Sequence, residues 1–173
     1  FPGVKGTGLA HHLVKSVCED HEGSIWVGTL QGLTKMRMEH GKYHFKSYFH
    51  KNADPGSLID NDVSAVFEDP KHNLWIGTHN SGLELFDRKT GTFKHYMSRK
   101  GEPGSISSNV IRRIKTDQDG RLWISTLNGI NIFDAESNKF TVINHNPEDP
   151  SSLNQNSIYD ILKDATGSMW MGT

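Results

Sequence analysis

Asn73-Leu74-Trp75-Ile76-Gly77-Thr78-His79-Asn80-Ser81-Gly82-Leu83 decides the fold, because it recurs. Ser24-Ile25-Trp26-Val27-Gly28-Thr29 precedes it, Arg121-Leu122-Trp123-Ile124-Ser125-Thr126 follows it, and Ser168-Met169-Trp170-Met171-Gly172-Thr173 repeats it once more. All four tryptophans of the chain occupy this one position, successively 49, 48 and 47 residues apart. A fixed period in this range marks a propeller or another array of small units that bury their faces only by stacking.

Working outward from the tryptophan strand, each repeat predicts four strands. Before it runs an apolar strand: His12 to Asp20, Asn61 to Asp69, Asn109 to Asp117 and Asn156 to Asp164. There Val14, Val63, Ile111 and Ile158 align, as do Val17, Val66, Ile114 and Ile161. Positions three apart on an extended strand point to opposite faces, so this strand is expected to be covered on both sides, as the innermost strand of a propeller blade is. An aspartate-headed turn joins the two strands (Asp20-His21-Glu22-Gly23 and its counterparts), with Gly or, in the second repeat, Asn73 supplying the positive φ. Beyond the tryptophan strand, turns at Gly32, Gly82 and Gly129 lead to a third strand carrying Leu33, Leu83 and Ile130. An outer strand carries Phe45 and Tyr48, Phe93 and Tyr96, or Phe140 and Ile143. Polar loops through Asn52 to Ser57, Lys100 to Ser105 and Asn146 to Ser151 return the chain. Residues 1–11 read as a loop, and no segment keeps a helical period over ten residues.

The reading is therefore all-β: a partial β-propeller of four-stranded antiparallel blades, one region over 1–173, with repeats at roughly 9–57, 58–105, 106–152 and an incomplete 153–173. About three and a half blades leave two raw faces and an unfinished edge. Two copies would supply seven blades, so self-association to complete a propeller is expected; a distorted four-bladed ring is the alternative.

Composition narrows the functions. With 19 Lys+Arg against 20 Asp+Glu, net charge −1, no basic field draws a nucleic acid or an anionic membrane. No apolar run approaches a membrane span. The 17 glycines and 16 aromatics suit short strands and turns. The single Cys18 forms no internal disulfide and aligns with Phe67, Lys115 and Leu162, as a packed residue would. The ten histidines are scattered without a His-X-His, so no metal site and no cofactor are expected. Asp117-Gln118-Asp119-Gly120 has Asn128 where a calcium loop needs its twelfth-position carboxylate, and reads as a hairpin turn. No Gly-X-Ser-X-Gly elbow or isolated acid/base pair marks an enzyme.

A residue present in every repeat belongs to the scaffold; function lies where repeats differ on a shared surface. At the end of the blades that holds the return loops, the differing residues include His79, Asn128, Arg112 and Arg113. The strand-start asparagines Asn61, Asn109 and Asn156 either cap loops or ring the channel mouth as hydrogen-bond donors to a polar ligand. Arg112-Arg113 could clamp a carboxylate or sulfate bidentately, or form an inter-blade ion pair. These seven residues are the candidate ligand site.

The repeat resembles the two-component regulator propeller family through Ile106-Ser107-Ser108-Asn109-Val110-Ile111, Asp117 to Thr126, Asn128-Gly129-Ile130 and Phe133-Asp134. The second repeat matches through Leu58, Asn61, Leu74 to Thr78, Gly82-Leu83 and Phe86-Asp87, and the fourth through Leu153, Asn156 and Trp170 to Thr173. Departures are Ser125 for Gly, His12 for Asn, and Met36-Arg37 for Phe-Asp. The resemblance implies the periplasmic sensor region of a Bacteroidetes hybrid two-component histidine kinase. That region would be non-catalytic and would bind a glycan-derived oligosaccharide to regulate polysaccharide-utilisation genes. Other classes compatible with the fold are a carbohydrate-active lyase or glycosidase and a protein-interaction scaffold.

Overall fold

A computed structural model describes residues 8–173, so residues 1–7 of the expected leading loop lie outside the described residues. Among the described residues every regular element is a strand. β1 (Val14–Glu19), β2 (Ile25–Thr29), β3 (Gly32–Glu39) and β4 (Lys42–Tyr48) form the first antiparallel sheet in that order. β5 (Val63–Glu68), β6 (Leu74–Thr78), β7 (Leu83–Asp87) and β8 (Thr92–Tyr96) form the second. β9 (Ile111–Thr116), β10 (Leu122–Thr126), β11 (Ile130–Asp134) and β12 (Lys139–Ile143) form the third. β13 (Asp160–Lys163) pairs with β14 (Met169–Gly172) as half of a fourth. The innermost strands pack in series, β1 on β5, β5 on β9 and β9 on β13. The chain is an arc of a propeller with three and a half blades.

The core lies between blades, because each sheet is too thin to bury its own faces. Trp26 stacks on Tyr48 of its own blade and meets the edge of Phe86 of the next; Trp75 lies tilted against Tyr96 and likewise meets the edge of Phe133. Both indoles are sealed, at 0% and 2% exposure, whereas Trp170, with no following blade, is 62% exposed.

The innermost strand departs from the expected alternation. Val63 pairs with Thr78 but Ala65 pairs with Gly77, so Ser64 is an extra residue in a β-bulge; β1 and β9 have the same irregularity. One inserted residue shifts the alternation by one. Val63 and Val66 therefore point to the same side, into the cluster with Trp26 and Leu33 of blade 1. Ile111 and Ile114 both point back to Trp75 and Leu83 of blade 2, and Ile158 and Ile161 to Ile130 of blade 3. The strand is still covered on both sides, since Ala65 and Phe67 belong to the cluster shared with blade 3.

The aspartate turns are built as expected, with one change. In blade 1 the Asp20 carboxylate accepts the N–H groups of Glu22 and Ser24, at 3.1 and 2.8 Å. The left-handed residue is the third after the aspartate: Gly23, Gly120, Gly167 and, in blade 2, His72 at φ 64° rather than Asn73. Asn73 instead donates its side-chain amide to Asp69.

Candidate functional site

The two ends of the arc differ in what their repeats share. At the aspartate-turn end the second carboxylate oxygen of each turn aspartate accepts an indole N–H. Asp20 takes Trp26 at 2.7 Å, Asp69 takes Trp75 at 2.9 Å, Asp117 takes Trp123 at 2.9 Å and Asp164 takes Trp170 at 2.7 Å. Burial opposes ionisation of Asp20 and Asp117, but the indole together with Arg88 and the Ser24 N–H at Asp20, and with the Arg121 backbone and side chain at Asp117, holds both below the usual carboxylate range. Asp164, with Thr166 and Trp170 as its main donors, is lowered to about 2. A carboxylate so engaged in every repeat is scaffold, not acid/base machinery.

At the return-loop end the asparagines are also scaffold. Asn61 Oδ1 accepts the His50 N–H at 2.7 Å, Asn109 Oδ1 the Ser98 N–H at 2.7 Å, and Asn156 Oδ1 the His145 N–H at 2.6 Å. Their backbone carbonyls take the N–H groups of Gly32, Gly82 and Gly129 from the preceding sheet. Each asparagine thus pins both a return loop and a neighbouring turn, which is the loop-capping reading. Asn128 donates to the Ser107 carbonyl at 3.4 Å. None of these four lines the cavity at this end.

That cavity, about 320 Å³, lies where the innermost strands begin and is lined by Lys15, Ser64, His79, Ile111, Arg112, Arg113 and Tyr159. The structure therefore brings together His79, Arg112 and Arg113 from the sequence-derived set and adds Lys15, Ser64 and Tyr159. β1, β5 and β9 each contribute one or more residues, so the site exists only when blades stand side by side. Their bulges aim it: Lys15, Ser64 and Arg112 are the extra residues of the three strands. No spacing rule flagged Lys15 or Tyr159, since one is an ordinary strand lysine and the other belongs to the half-blade.

The cations of this mouth are not equally engaged. Lys15 pairs with Asp62, and Arg113 Nε lies 3.3 Å from Asp160 of the half-blade, which is the inter-blade ion pair considered above. Arg112 has no carboxylate partner among the described residues. Its guanidinium lies 3.8 Å from the centroid of the Tyr159 ring, and Nη1 donates to Ser157 Oγ at 3.1 Å. A guanidinium this close to an aromatic face and tethered through Nη1 is pre-positioned, with donors left over for an anion. The arrangement can bind a carboxylate or sulfate oxygen and stack a ring edge. It offers no paired acid and base.

A larger cavity, about 670 Å³, is a groove between blades 2 and 3 at the aspartate-turn end. Its lining includes Trp75, Tyr96 and Phe133, which are blade packing, so its apolar surface is scaffold. Burial pushes the Cys18 thiol up, which disfavours the thiolate a nucleophile needs.

Several known proteins share this architecture. A histidine kinase of Formosa agariphila (Histidine kinase P4) is 39% identical over 83 residues, 46% of this chain and 6% of that protein. BT3049 of Bacteroides thetaiotaomicron is assigned as a hybrid two component system. Its extracellular domain superposes with TM-score 0.80 at 25% identity, over 96% of this chain and 23% of that one. Virginiamycin B lyase of Staphylococcus aureus shares the fold alone, with TM-score 0.65 at 14% identity over 97% of this chain and 51% of that one. The chain thus spans a small part of the sensor relatives it matches. Residues 8–31, 57–80, 105–128 and 152–173, together more than half of the sequence, match the family described as Two component regulator propeller, once at each tryptophan strand. With the repeat, the blades and these matches agreeing, the chain belongs to the two component regulator propeller family.

Proposed function

We propose that this chain is a ligand-reading propeller segment of an extracytoplasmic, periplasm-facing sensor, and that its ligand is a glycan-derived oligosaccharide bearing a carboxylate or sulfate. The observation that supports the ligand class is Arg112, which has no carboxylate partner among the described residues and lies over the Tyr159 ring in a cavity that also presents Lys15, Arg113 and His79. A charge-assisted, bidentate contact selects an acidic sugar, and the tyrosine gives its ring an apolar edge. The extracellular domain of BT3049 supports the compartment and the sensing role. Binding need only favour one sensor state over another to signal, so no turnover is required. Downstream control of polysaccharide-utilisation genes belongs to parts of a longer protein.

Calorimetric titration with neutral, uronate-containing and sulfated oligosaccharides tests this. Acidic saccharides should bind without product forming, and Arg112→Ala should weaken binding by roughly 10–100-fold, the weight of a hydrogen bond to a charged group. Preference for neutral sugars, or indifference to Arg112→Ala, overturns the ligand class. Product formation favours the lyase or glycosidase reading, and silence towards every saccharide favours a protein scaffold.

A further inference from the structure

The junction between blades 1 and 2 carries, at the aspartate-turn end, a cluster that no other junction repeats. His21 comes from the blade 1 turn; Glu68 ends β5, and His72 and Arg88 lie in turns of blade 2. At the next junction the corresponding residues are Pro70, Thr116, Gly120 and Ala135. Gly120 and Ala135 there line the open 670 Å³ groove. The histidines and their carboxylate therefore belong to this junction and not to the blade pattern.

Their geometry is that of an assembled donor set. His21 Nδ1 lies 2.7 Å from Glu68 Oε1, and the His21 backbone N–H donates to Glu68 Oε2 at 2.7 Å. The His21 and His72 rings stack with centroids 4.0 Å apart. One ligand atom from each of His21, Glu68 and His72 lies within 4.8 Å of the others. Around a tetrahedral ion with bonds of about 2.0–2.1 Å such atoms stand roughly 3.4 Å apart. Both histidines are exposed and can close that difference by side-chain rotation. Arg88 donates to Glu68 Oε1 at 2.5 Å and to Asp20 at 2.9 Å, which fixes the carboxylate in place; the same Oε1 faces the His21 imidazole, and Oε2 faces the His21 backbone. His72 adds a separate observation. It occupies a left-handed position that glycine fills in the three sibling turns, at φ 75°, 76° and 89°. A β-carbon there carries strain that glycine avoids.

We propose that His21, His72 and Glu68 form a divalent transition-metal site of the zinc class, bridging blade 1 to blade 2. Two imidazoles and one carboxylate with an open fourth position suit zinc better than the oxygen-seeking magnesium or calcium. The bound ion would add a clamp between two blades beside the Arg88–Asp20 and Arg88–Glu68 ion pairs, and would bind the folded arc in preference to the unfolded chain.

The test is zinc titration of the full 173-residue chain by calorimetry, with cobalt absorption as a second readout of imidazole coordination. The wild type should bind one equivalent and unfold at a higher temperature with zinc. His72→Gly removes a donor while restoring the sibling glycine. It should keep or raise metal-free stability, yet weaken zinc binding on the order of tenfold or more, the equivalent of at least about 1.4 kcal/mol, and abolish the zinc-dependent rise. Glu68→Gln should weaken binding similarly. Absence of saturable binding, or equal zinc affinity in wild type and His72→Gly, overturns the site.

Discussion

Glu84 shows how one residue can leave the pattern of its siblings while keeping their task. On the third strand of each blade a buried polar side chain holds the loop that leads to the innermost strand. Thr34 Oγ1 accepts the Ala10 N–H at 2.9 Å, Glu84 Oε1 the Ile59 N–H at 2.5 Å and Asn131 Oδ1 the Ser107 N–H at 2.8 Å. The acid needs a partner the other two do not, and His95 supplies it, Nδ1 lying 3.0 Å from Glu84 Oε1. His95 Nε2 faces the Pro55 carbonyl at 2.9 Å, and Nδ1 lies beside the Glu84 carboxylate as a charge contact without hydrogen-bond geometry, so the imidazolium is favoured. Glu84 accordingly raises His95 above the ordinary histidine range, while burial raises Glu84. With both folded values above the unfolded ones, the folded state holds more protons than the unfolded state. Stability then falls as pH rises. For His95 the contribution is complete below about pH 6.5 and is lost as pH climbs through its higher folded value. Urea midpoints from mildly acid to mildly alkaline pH should show this decline, and His95→Gln should flatten it above the ordinary histidine value. A parallel decline in the variant would place the titration elsewhere.

At the scale of the element, the innermost strand does two jobs through one irregularity. Its bulge turns Val63 and Val66 back onto blade 1 and leaves Ser64 facing the axial mouth, where the equivalent residues are Lys15 and Arg112. The strand also presses on the glycine of the preceding tryptophan strand. A Cβ on Gly77 would lie 2.5 Å from Ile111 Cγ2, whereas one on Gly172 would meet nothing nearer than 3.8 Å. The glycine after tryptophan is thus a requirement of blade-on-blade packing, not of backbone conformation. Gly77→Ala should destabilise by about 1–3 kcal/mol, the usual effect of overpacking, and Gly172→Ala by no more than about 0.5 kcal/mol. Chemical denaturation of the two variants checks the difference. Blade 3 carries Ser125 at this position, and its Oγ accepts the Arg113 N–H at 3.0 Å, a bond that glycine cannot make.

At the scale of the molecule, the arc ends in two faces of complementary kind. Every internal junction sets a tryptophan against the apolar pair of the next innermost strand, joined at the first two by its cross-strand neighbour, Cys18 or Phe67. At one end Trp170 and Leu162 are exposed without that pair; at the other Val14 and Val17 are exposed without a preceding tryptophan. Val17 is 59% exposed where its buried counterpart Val66 is at 6%. Surface of this kind is covered by more blades or by a second copy. Expressed alone, the 173-residue chain should self-associate head to tail, with light scattering reporting dimers or larger rings. Leu162→Lys and Val17→Lys should each shift it towards monomer. A monodisperse wild-type monomer at high concentration would refute the pairing.

The tryptophan period by itself determined the number of sheets, their four-strand order and the aspartate turns, because a unit that must stack on its own copy carries the same contacts at the same spacing each time. Trp26, Gly28 and Asp20 could be read as scaffold from repetition alone. Only the tertiary structure decided where Val63 and Val66 point, since a bulge changes no residue type and leaves no mark on the hydrophobic pattern. The same holds for the mouth formed by Lys15, Arg112 and Tyr159 and for the cluster of His21, Glu68 and His72. Each draws members from different repeats, Lys15 lying two repeats from Arg112 and His21 one from Glu68, and they meet because blades lie side by side, a proximity that follows from packing rather than from spacing along the chain.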